Sequence, residues 1–596
     1  MKKTIILFAA FIGTVSCSDF LNETQTTGLQ TSTYQSESML ESNIYGIISS
    51  FSGTWGINGE PFEFFSEASG LTHWGGNTRL GKPKWDSTLK FTQYSTNEVN
   101  DKYFRTIFKG IECCNVLISN LPSSPVDEEY KRQIEAEACF YRAVLYFNAV
   151  RIWGALPLRT EPVTAENSTN CPRSSVGRIY EQIVADLKYA AEYMRTPEQV
   201  TEHYDGVPRP DKYAPVAYLS SVYATIGSLL YSPDDNFWKP ENKPDFSALG
   251  VSDYNDAYEK ALDYAESLIA ESGKRDAGCA YSLVPNYADL FNYDGNPESP
   301  AYRNPEQILT LSYAPNSVTG RLAWWTLYSF VDGTKDNDES ITVNGNYGRF
   351  RPNRFVYQRW CKSYPGVESD TYPGMYLTCK DPRMNVSLYH GSIKKSISTE
   401  ETEIYPLVIK NSKSCVYPFF RKYWSSDYNR DNGTAGMYLM RFAEVYFNAA
   451  EAAAALGQEG KAFDYMEVVH KRARGTGELP KWEAGQFATK DSLLSAIFWE
   501  RIFEFYGEGH EWNEVHRHGA TWIADNIAAP KNEFLDRKEN KQLRTKGSDH
   551  SSFEEGFYYI TDPQELRRSL LAAFPNSEFL YNSGISYDDQ NDFYFE

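Results

Sequence analysis

Residues 438–519 decide the reading of this chain: YLMRFAEVYFNAAEAAAALGQEG (438–460), KAFDYMEVVHKRARG (461–475) and, after a gap, DSLLSAIFWERIFEFYGEGHEWNEVHRHG (491–519). In the first segment Leu439, Phe442, Ala443, Tyr446, Ala449, Ala450, Ala453 and Leu456 recur at three- and four-residue steps, one face of an α-helix. The opposite stripe is polar: Arg441, Glu444, Asn448 and Glu451. Gly457 and Gly460 bracket a turn, and Ala462, Phe463, Met466, Val469 and Ala473 mark a second amphipathic run. Two antiparallel helices in roughly 35 residues, with small side chains at the crossing, have the size of a tetratricopeptide-type unit. Their Ala-rich faces let backbones approach closely, so the pair can pack against further pairs.

Other helical patterns lie upstream. Met39, Leu40, Ile44, Ile47, Ile48 and Phe51 form a first face; Tyr103, Phe104, Ile107, Ile111, Cys114, Leu117 and Ile118 form a second. Asp127 is placed to cap a helix carrying Ile134, Ala138, Tyr141, Leu145 and Ile152, which Gly154 and Pro157 end. Ser174 or Ser175 opens the next, Pro215 sits in the first turn of another, and Tyr254 to Leu268 supply one more. Two stretches break the pattern. Between Trp55 and Phe91 periodicity vanishes, around SGLTHWGGNTRLGKPKW (69–85). From about Tyr281 to Thr434 Gly, Pro, Asn, Asp and Tyr are dense, with a short candidate strand in QILTLSY (307–313). Both read as long loops, which in a compact domain are usually functional or disordered.

Three segments carry a family resemblance. RFAEVYFNAAEAAAALG (441–457) and ERIFEFYGEGHEWNEVHRHG (500–519) resemble the two C-terminal signatures of the SusD/RagB family, with Glu500, Arg501, Glu504, Glu508, Gly509 and Trp512 in place; YRAVLYFNAVRIWGALPLRTEP (141–162) resembles a third. The resemblance implies a mostly α-helical fold, a tetratricopeptide-type hairpin scaffold with a large loop-rich ligand-binding region. It also implies non-catalytic capture of an oligosaccharide, handed to a SusC-like TonB-dependent transporter in the outer membrane for nutrient uptake. A surface glycoside hydrolase, and a peptide-binding or scaffold lipoprotein of the same uptake complex, are the alternatives.

The N-terminus agrees. MKKTIILFAAFIGTVSC (1–17) has Lys2 and Lys3 ahead of an apolar core too short to span a bilayer, the form of a signal peptide. Thr14-Val15-Ser16-Cys17 resembles a lipobox, which implies lipidation at Cys17; the other reading is an ordinary signal peptide with a coincidental Cys. More than one acyl chain anchors a protein stably. CSDFLNETQTT (17–27) resembles the start of SusD-like proteins, and through its acidic Asp19 and Glu23 that resemblance implies surface display. The expected organisation is a signal peptide over 1–16, a lipidated N-terminus and tether over 17–34, an N-terminal helical domain over 35–280, a loop-rich ligand-face region over 281–434 and a C-terminal helical region over 435–596.

Composition narrows the partners. The 596 residues are 41% hydrophobic and 23% charged, as in globular proteins. The formal charge is −20, without a basic cluster, so the surface repels nucleic acid. None of the nine Cys falls in a CxxC pair, which disfavours a zinc ribbon, and several are expected as buried free thiols. No GxSxG, Walker loop or GxGxxG context appears, so no catalytic residue and no cofactor is assigned.

Glu444 and Glu451 share a helix with Arg441, and Glu500 and Glu504 share one with Arg501. A carboxylate pair can be a glycosidase dyad. Within a packing motif the simpler reading is ion pairs that hold the hairpins. His510, His516 and His518 are not in HExxH spacing and read as packing and capping groups, so no metal is assigned. Asp381-Pro382-Arg383 resembles a structural turn of the family.

The ligand-binding candidates are in the loops. Trp74, Asn77, Arg79 and Trp85 lie in the first; Trp324, Trp325 and Tyr328 lie in the second, with Trp360 in reserve. Aromatics are 15% of the chain. Sugars present apolar C–H faces rimmed with hydroxyls, and flat rings beside Asn, Asp and Arg suit them. Burial under a loop is the competing reading for each Trp.

Overall fold

In the computed structural model, the residues described are 34–74, 97–168, 170–204, 209–232, 244–274, 279–293, 299, 301, 303–312, 350–368, 370, 373–389, 419–423, 435–474, 480–537, 559–586, 588, 590 and 591. The helices that build the scaffold and position the site are α1 (Glu37–Ser50), α2 (Glu60–Ala68), α3 (Glu98–Asn120), α4 (Glu128–Trp153), α5 (Val176–Tyr193), α6 (Ala214–Tyr231), α7 (Tyr254–Glu271), α8 (Arg354–Ser363), α9 (Pro382–Ser387), α10 (Phe442–Ala455), α11 (Glu459–Arg474), α12 (Lys490–Phe505) and α13 (Glu511–His516). Strands are few and short: β1 (Thr72–Trp74), β2 (Leu156–Pro157), β3 (Arg173–Ser174), β4 (Gln307–Leu311), β5 (Phe350–Pro352), β6 (Leu388–Tyr389), β7 (Phe419–Phe420) and β8 (Met437–Arg441).

Helix starts follow local chemistry. The Asp127 carboxylate accepts from the N–H groups of Glu129 and Tyr130, and the Ser175 hydroxyl from that of Arg178. Thr489 and Ser492 form a capping box at α12. Gly154 ends α4 at φ 71°, a conformation that favours glycine. Successive helices pack as neighbours, α3 on α4, α4 on α5, α5 on α6 and α6 on α7. The α10–α11 hairpin then sets α10 against α6, α7 and α12. The helices on either side of the central region thus share one hydrophobic core. No helix among the described residues is long and apolar enough to cross a membrane.

Several expectations need correction, and most have one physical cause. Every residue of α10 except Tyr446 is buried, the polar stripe Glu444, Asn448 and Glu451 included, because α6, α7, α11 and α12 surround it. The stretch from Trp55 to Phe91 was expected to be loop, yet it contains α2 and β1. Residues Pro61 to Ala68 of α2 are all buried, so no polar stripe marks the helical period. The same holds for α8, inside the region read as irregular, where Arg354 to Gln358, Trp360 and Cys361 are buried. The strand expected in QILTLSY is β4, antiparallel to β8, with Gln307 opposite Arg441 and Leu311 opposite Met437. Gly460 lies within the first turn of α11; Gly457, at φ 75°, makes the turn. Met39, assigned to the apolar face of α1, is 40% exposed.

Candidate functional site

The candidate ligand face is rooted in two small ribbons. β1 pairs antiparallel with β5, Thr72 opposite Pro352, His73 opposite Arg351 and Trp74 opposite Phe350. β6 pairs with β7, Leu388 opposite Phe420 and Tyr389 opposite Phe419, and β5 packs against β7. Trp74 is the residue from which segment 75–96 departs, and Phe350 the one at which segment 313–349 ends. The residue before the first of these segments and the residue after the second are therefore paired at one rung of one ribbon. Asn77, Arg79, Trp85, Trp324, Trp325 and Tyr328 themselves lie outside the described residues, as does Cys17; for Trp74 the backbone alone is described.

A turn from the second signature holds both ribbons. The Tyr506 hydroxyl donates to the Leu71 carbonyl at 2.6 Å and accepts the Asn353 N–H at 2.9 Å, pinning the residues next to β1 and β5. The Tyr506 ring meets Phe420 of β7 edge-on at 4.9 Å. Gly507, at φ 83°, faces the same Phe420, and a Cβ there would come within 2.4 Å of its ring. Glycine is thus required both for the backbone angle and for the close approach. Glu511 accepts from the Gly507 N–H at 2.7 Å and from the Ser66 hydroxyl at 3.0 Å, tying the turn to α2.

Beneath the turn lies a buried ion-pair network. Arg441 bonds Glu508 through Nε and Nη2 at 2.8 and 2.9 Å and also reaches Glu306 and Glu504. Arg472 bridges Glu306 and Glu504. Arg383 joins Asp381 and Glu500, each at 2.7 Å, to Glu504. Lys422, two residues beyond β7, donates to Glu508 at 2.7 Å and to the Glu504 carbonyl at 2.9 Å. Burial alone would raise the Glu500 and Glu504 carboxyls, but the guanidinium groups beside them bring both down to about 2. Lys422 is pushed down to about 8 by burial, against the pull of Glu508.

A second network closes the other side of α10. Arg517 binds Glu451 with both terminal nitrogens and Glu514 at 2.8 Å; Arg501 reaches Glu514 and donates to the Asn448 side chain at 2.6 Å. Glu444 accepts from Ser221 at 2.9 Å. The four carboxylates weighed as a glycosidase dyad are thus buried, Glu451, Glu500 and Glu504 in close ion pairs and Glu444 on a hydroxyl, which matches the packing reading. Asp381 caps α9 and bonds Arg383, a structural turn as the sequence suggested. His516 stacks on Trp512 at 3.6 Å and His518 on Trp522 at 4.4 Å, packing roles for both. Burial pushes the His516 imidazole down to about 3.

Trp360, held in reserve as a ligand contact, is a core residue. It is fully buried, stacks on Phe503 at 4.8 Å and 7°, and donates through Nε1 to Asp381 at 2.8 Å. Sequence reasoning marked Glu508 and Gly509 as motif positions and passed over Tyr506, Gly507, Lys422 and Glu306. The signal for the first two was the Tyr-Gly step after an uninterrupted helix; Lys422 and Glu306 sit in stretches without periodicity. Among the described residues Cys114, Cys139, Cys279 and Cys361 are buried free thiols, as expected.

Comparison with known proteins agrees with this architecture. The family model described as the SusD family matches residues 251–594, and one described as "Starch-binding associating with outer membrane" matches residues 19–224. The chain belongs to the SusD family. A SusD-like protein of Formosa agariphila is 24% identical over 539 residues, 86% of this chain and 88% of its own. A SusD homolog from Bacteroides thetaiotaomicron superposes with a TM-score of 0.68 at 15% identity, covering 95% of this chain and 99% of that one. A laminarin-binding SusD-like protein does so with a TM-score of 0.63 at 18% identity, covering 94% and 100%.

Proposed function

We propose that the protein is a non-catalytic glycan-binding lipoprotein that captures an oligosaccharide at the outer membrane and delivers it to a SusC-like TonB-dependent transporter. The observation that supports this reading is the rung between Trp74 and Phe350, which sets the start of segment 75–96 beside the end of segment 313–349. Trp74, Asn77, Arg79, Trp85, Trp324, Trp325 and Tyr328 are the proposed ligand contacts, rings to stack on sugar faces and polar groups to orient the hydroxyls. The glycan-binding name of a structural relative and the outer-membrane description of the family support the ligand class and location. Lipidation at Cys17 supplies the anchor. The ion pairing of Glu451, Glu500 and Glu504 supports a role without turnover, since carboxylates so held do not exchange protons near neutral pH.

A glycan array on the protein beginning at Ser18 tests the ligand class, with product analysis to detect cleavage. The expected result is retention of one glycan family without cleavage. Isothermal titration then compares Trp74→Ala, Trp324→Ala and Trp325→Ala. Adjacent side chains of an extended segment point to opposite faces, so one of the Trp324 and Trp325 variants loses affinity about ten- to a hundred-fold while the other loses stability. Wild-type affinity in three well-folded variants would move the site elsewhere. Fractionation of Cys17→Ala, expected in the soluble phase, tests the anchor.

A further inference from the structure

We propose that a cavity on the helical scaffold, between the C-terminal end of α6, the first half of α12 and the segment after α13, is a second ligand site, one that takes a short neutral saccharide. The cavity measures about 430 Å³, in the range of small-molecule sites. Its wall includes Tyr231 from α6, Asp491 and Ser495 from α12, and Trp522, Asp525 and Asn526 from the segment that follows α13. None of these belongs to the loop ribbons.

Two independent features point to a ligand. The first is backbone geometry. Asp525 and Asn526 lie in a π-helical turn, Ala524–Ala528, set between helical residues on either side. Such turns are rare and occur frequently at functional sites. Here two polar residues of that turn, Asp525 and Asn526, line the cavity wall.

The second is the balance of charge and hydrogen-bonding capacity. Arg517 reaches the wall, yet its guanidinium is committed to Glu451 and Glu514. Lys490, at the start of α12, donates to the Ala455 carbonyl at 3.0 Å. The charged groups left on the wall are the carboxylates of Asp491 and Asp525. Asp491 accepts from the Tyr231 hydroxyl at 2.6 Å; Asp525 is exposed and has no hydrogen-bond or ion-pair partner among the described residues. Ser495 donates to Asn526 at 3.0 Å. Trp522 is half-buried, with His518 stacked at 4.4 Å and Phe498 edge-on at 4.5 Å fixing its ring.

An acceptor-rich wall with a fixed indole repels anions and suits a ligand that donates hydroxyl hydrogens and offers an apolar C–H face. That is the chemistry of a mono- or disaccharide. The site shares a ligand class with the loop face and does not depend on it.

Saturation-transfer NMR and isothermal titration on the full chain decide the matter, with glucose, galactose, mannose, xylose, maltose and cellobiose as probes and choline as a cationic control. At least one sugar is expected to bind, and Asp525→Lys is expected to weaken it at least ten-fold with an unchanged melting temperature. Trp522→Ala removes the platform; should it unfold the chain, the exposed Asp525 substitution still reads the site. Binding that survives Asp525→Lys, binding lost in Trp74→Ala instead, or binding of choline alone would each overturn the proposal, as would silence from all six sugars. Loss in Trp74→Ala would assign the sugar to the loop face and leave that reading standing.

Discussion

The Tyr506 hydroxyl donates to the Leu71 carbonyl at 2.6 Å while accepting the Asn353 N–H, so one phenol joins the helical scaffold to both strands of the β1–β5 ribbon. Removing it leaves the Asn353 N–H and the Leu71 carbonyl with the 3.3 Å bond between them. Tyr506→Phe is expected to cost about 0.5–1.5 kcal/mol. Because the ribbon roots the proposed binding segments, the variant should also lose glycan affinity without contacting ligand. Denaturant melts and titration of the same sample check this; intact affinity beside reduced stability would separate the ribbon from the site.

Arg441 faces three carboxylates of the buried network, Glu306, Glu504 and Glu508. Arg441→Met would take one cation from three buried carboxylates, leaving Glu306 to Arg472, Glu504 to Arg472 and Arg383, and Glu508 to Lys422. Removing one partner of a buried pair costs about 3–5 kcal/mol, far more than the pair contributes relative to an apolar replacement. The melting temperature should fall steeply, and a loss of under about 1 kcal/mol would count against the network as a determinant of the fold.

Ala450 and Ala453 have no exposed surface, in a helix enclosed by four others. Ala450→Leu and Ala453→Leu each add volume where there is no room and are expected to destabilise by about 1–3 kcal/mol. Thermal melts of the two single variants suffice, and an unchanged melting temperature for both would contradict the close crossing.

Acid sensitivity follows from the same ion pairs. Glu500, Glu504 and Glu514 titrate near about 2 in the folded chain, against an ordinary value of 4.5, because adjacent guanidinium groups outweigh the effect of burial. The unfolded chain therefore binds more protons between these values. The stabilisation is complete above about pH 4.5 and is lost as pH falls toward 2. His516 adds to the loss from a higher pH. Burial lowers its pKa from 6.5 to about 3, so the unfolded form protonates first on acidification below 6.5. Urea melts at pH 7, 5 and 3 should show a progressively lower midpoint, and a pH-independent midpoint would remove these groups from the stability balance.

The sequence by itself determined the amphipathic helices, their caps and the scaffold class. A helix that keeps one face in solvent writes its 3.6-residue period into the chain, and capping residues act within three positions of themselves. Asp127 and the Ser174-Ser175 pair were legible for that reason, and the place of the Glu and Arg residues within a packing motif already favoured ion pairs over catalysis. The tertiary structure decided what depends on partners distant in the chain. α2 and α8 are buried nearly all round, so they carry no alternating stripe and could not be told from loop. Trp74 and Trp360 look alike as loop aromatics, yet Trp360 lies flat on Phe503 in the core while Trp74 ends a strand opposite Phe350. Nothing local distinguishes them, because burial is a property of what the rest of the chain brings to a residue. Tyr506 needed Leu71 and Asn353 to acquire its role, and Arg441 needed Glu306, a carboxylate from a stretch with no period of its own.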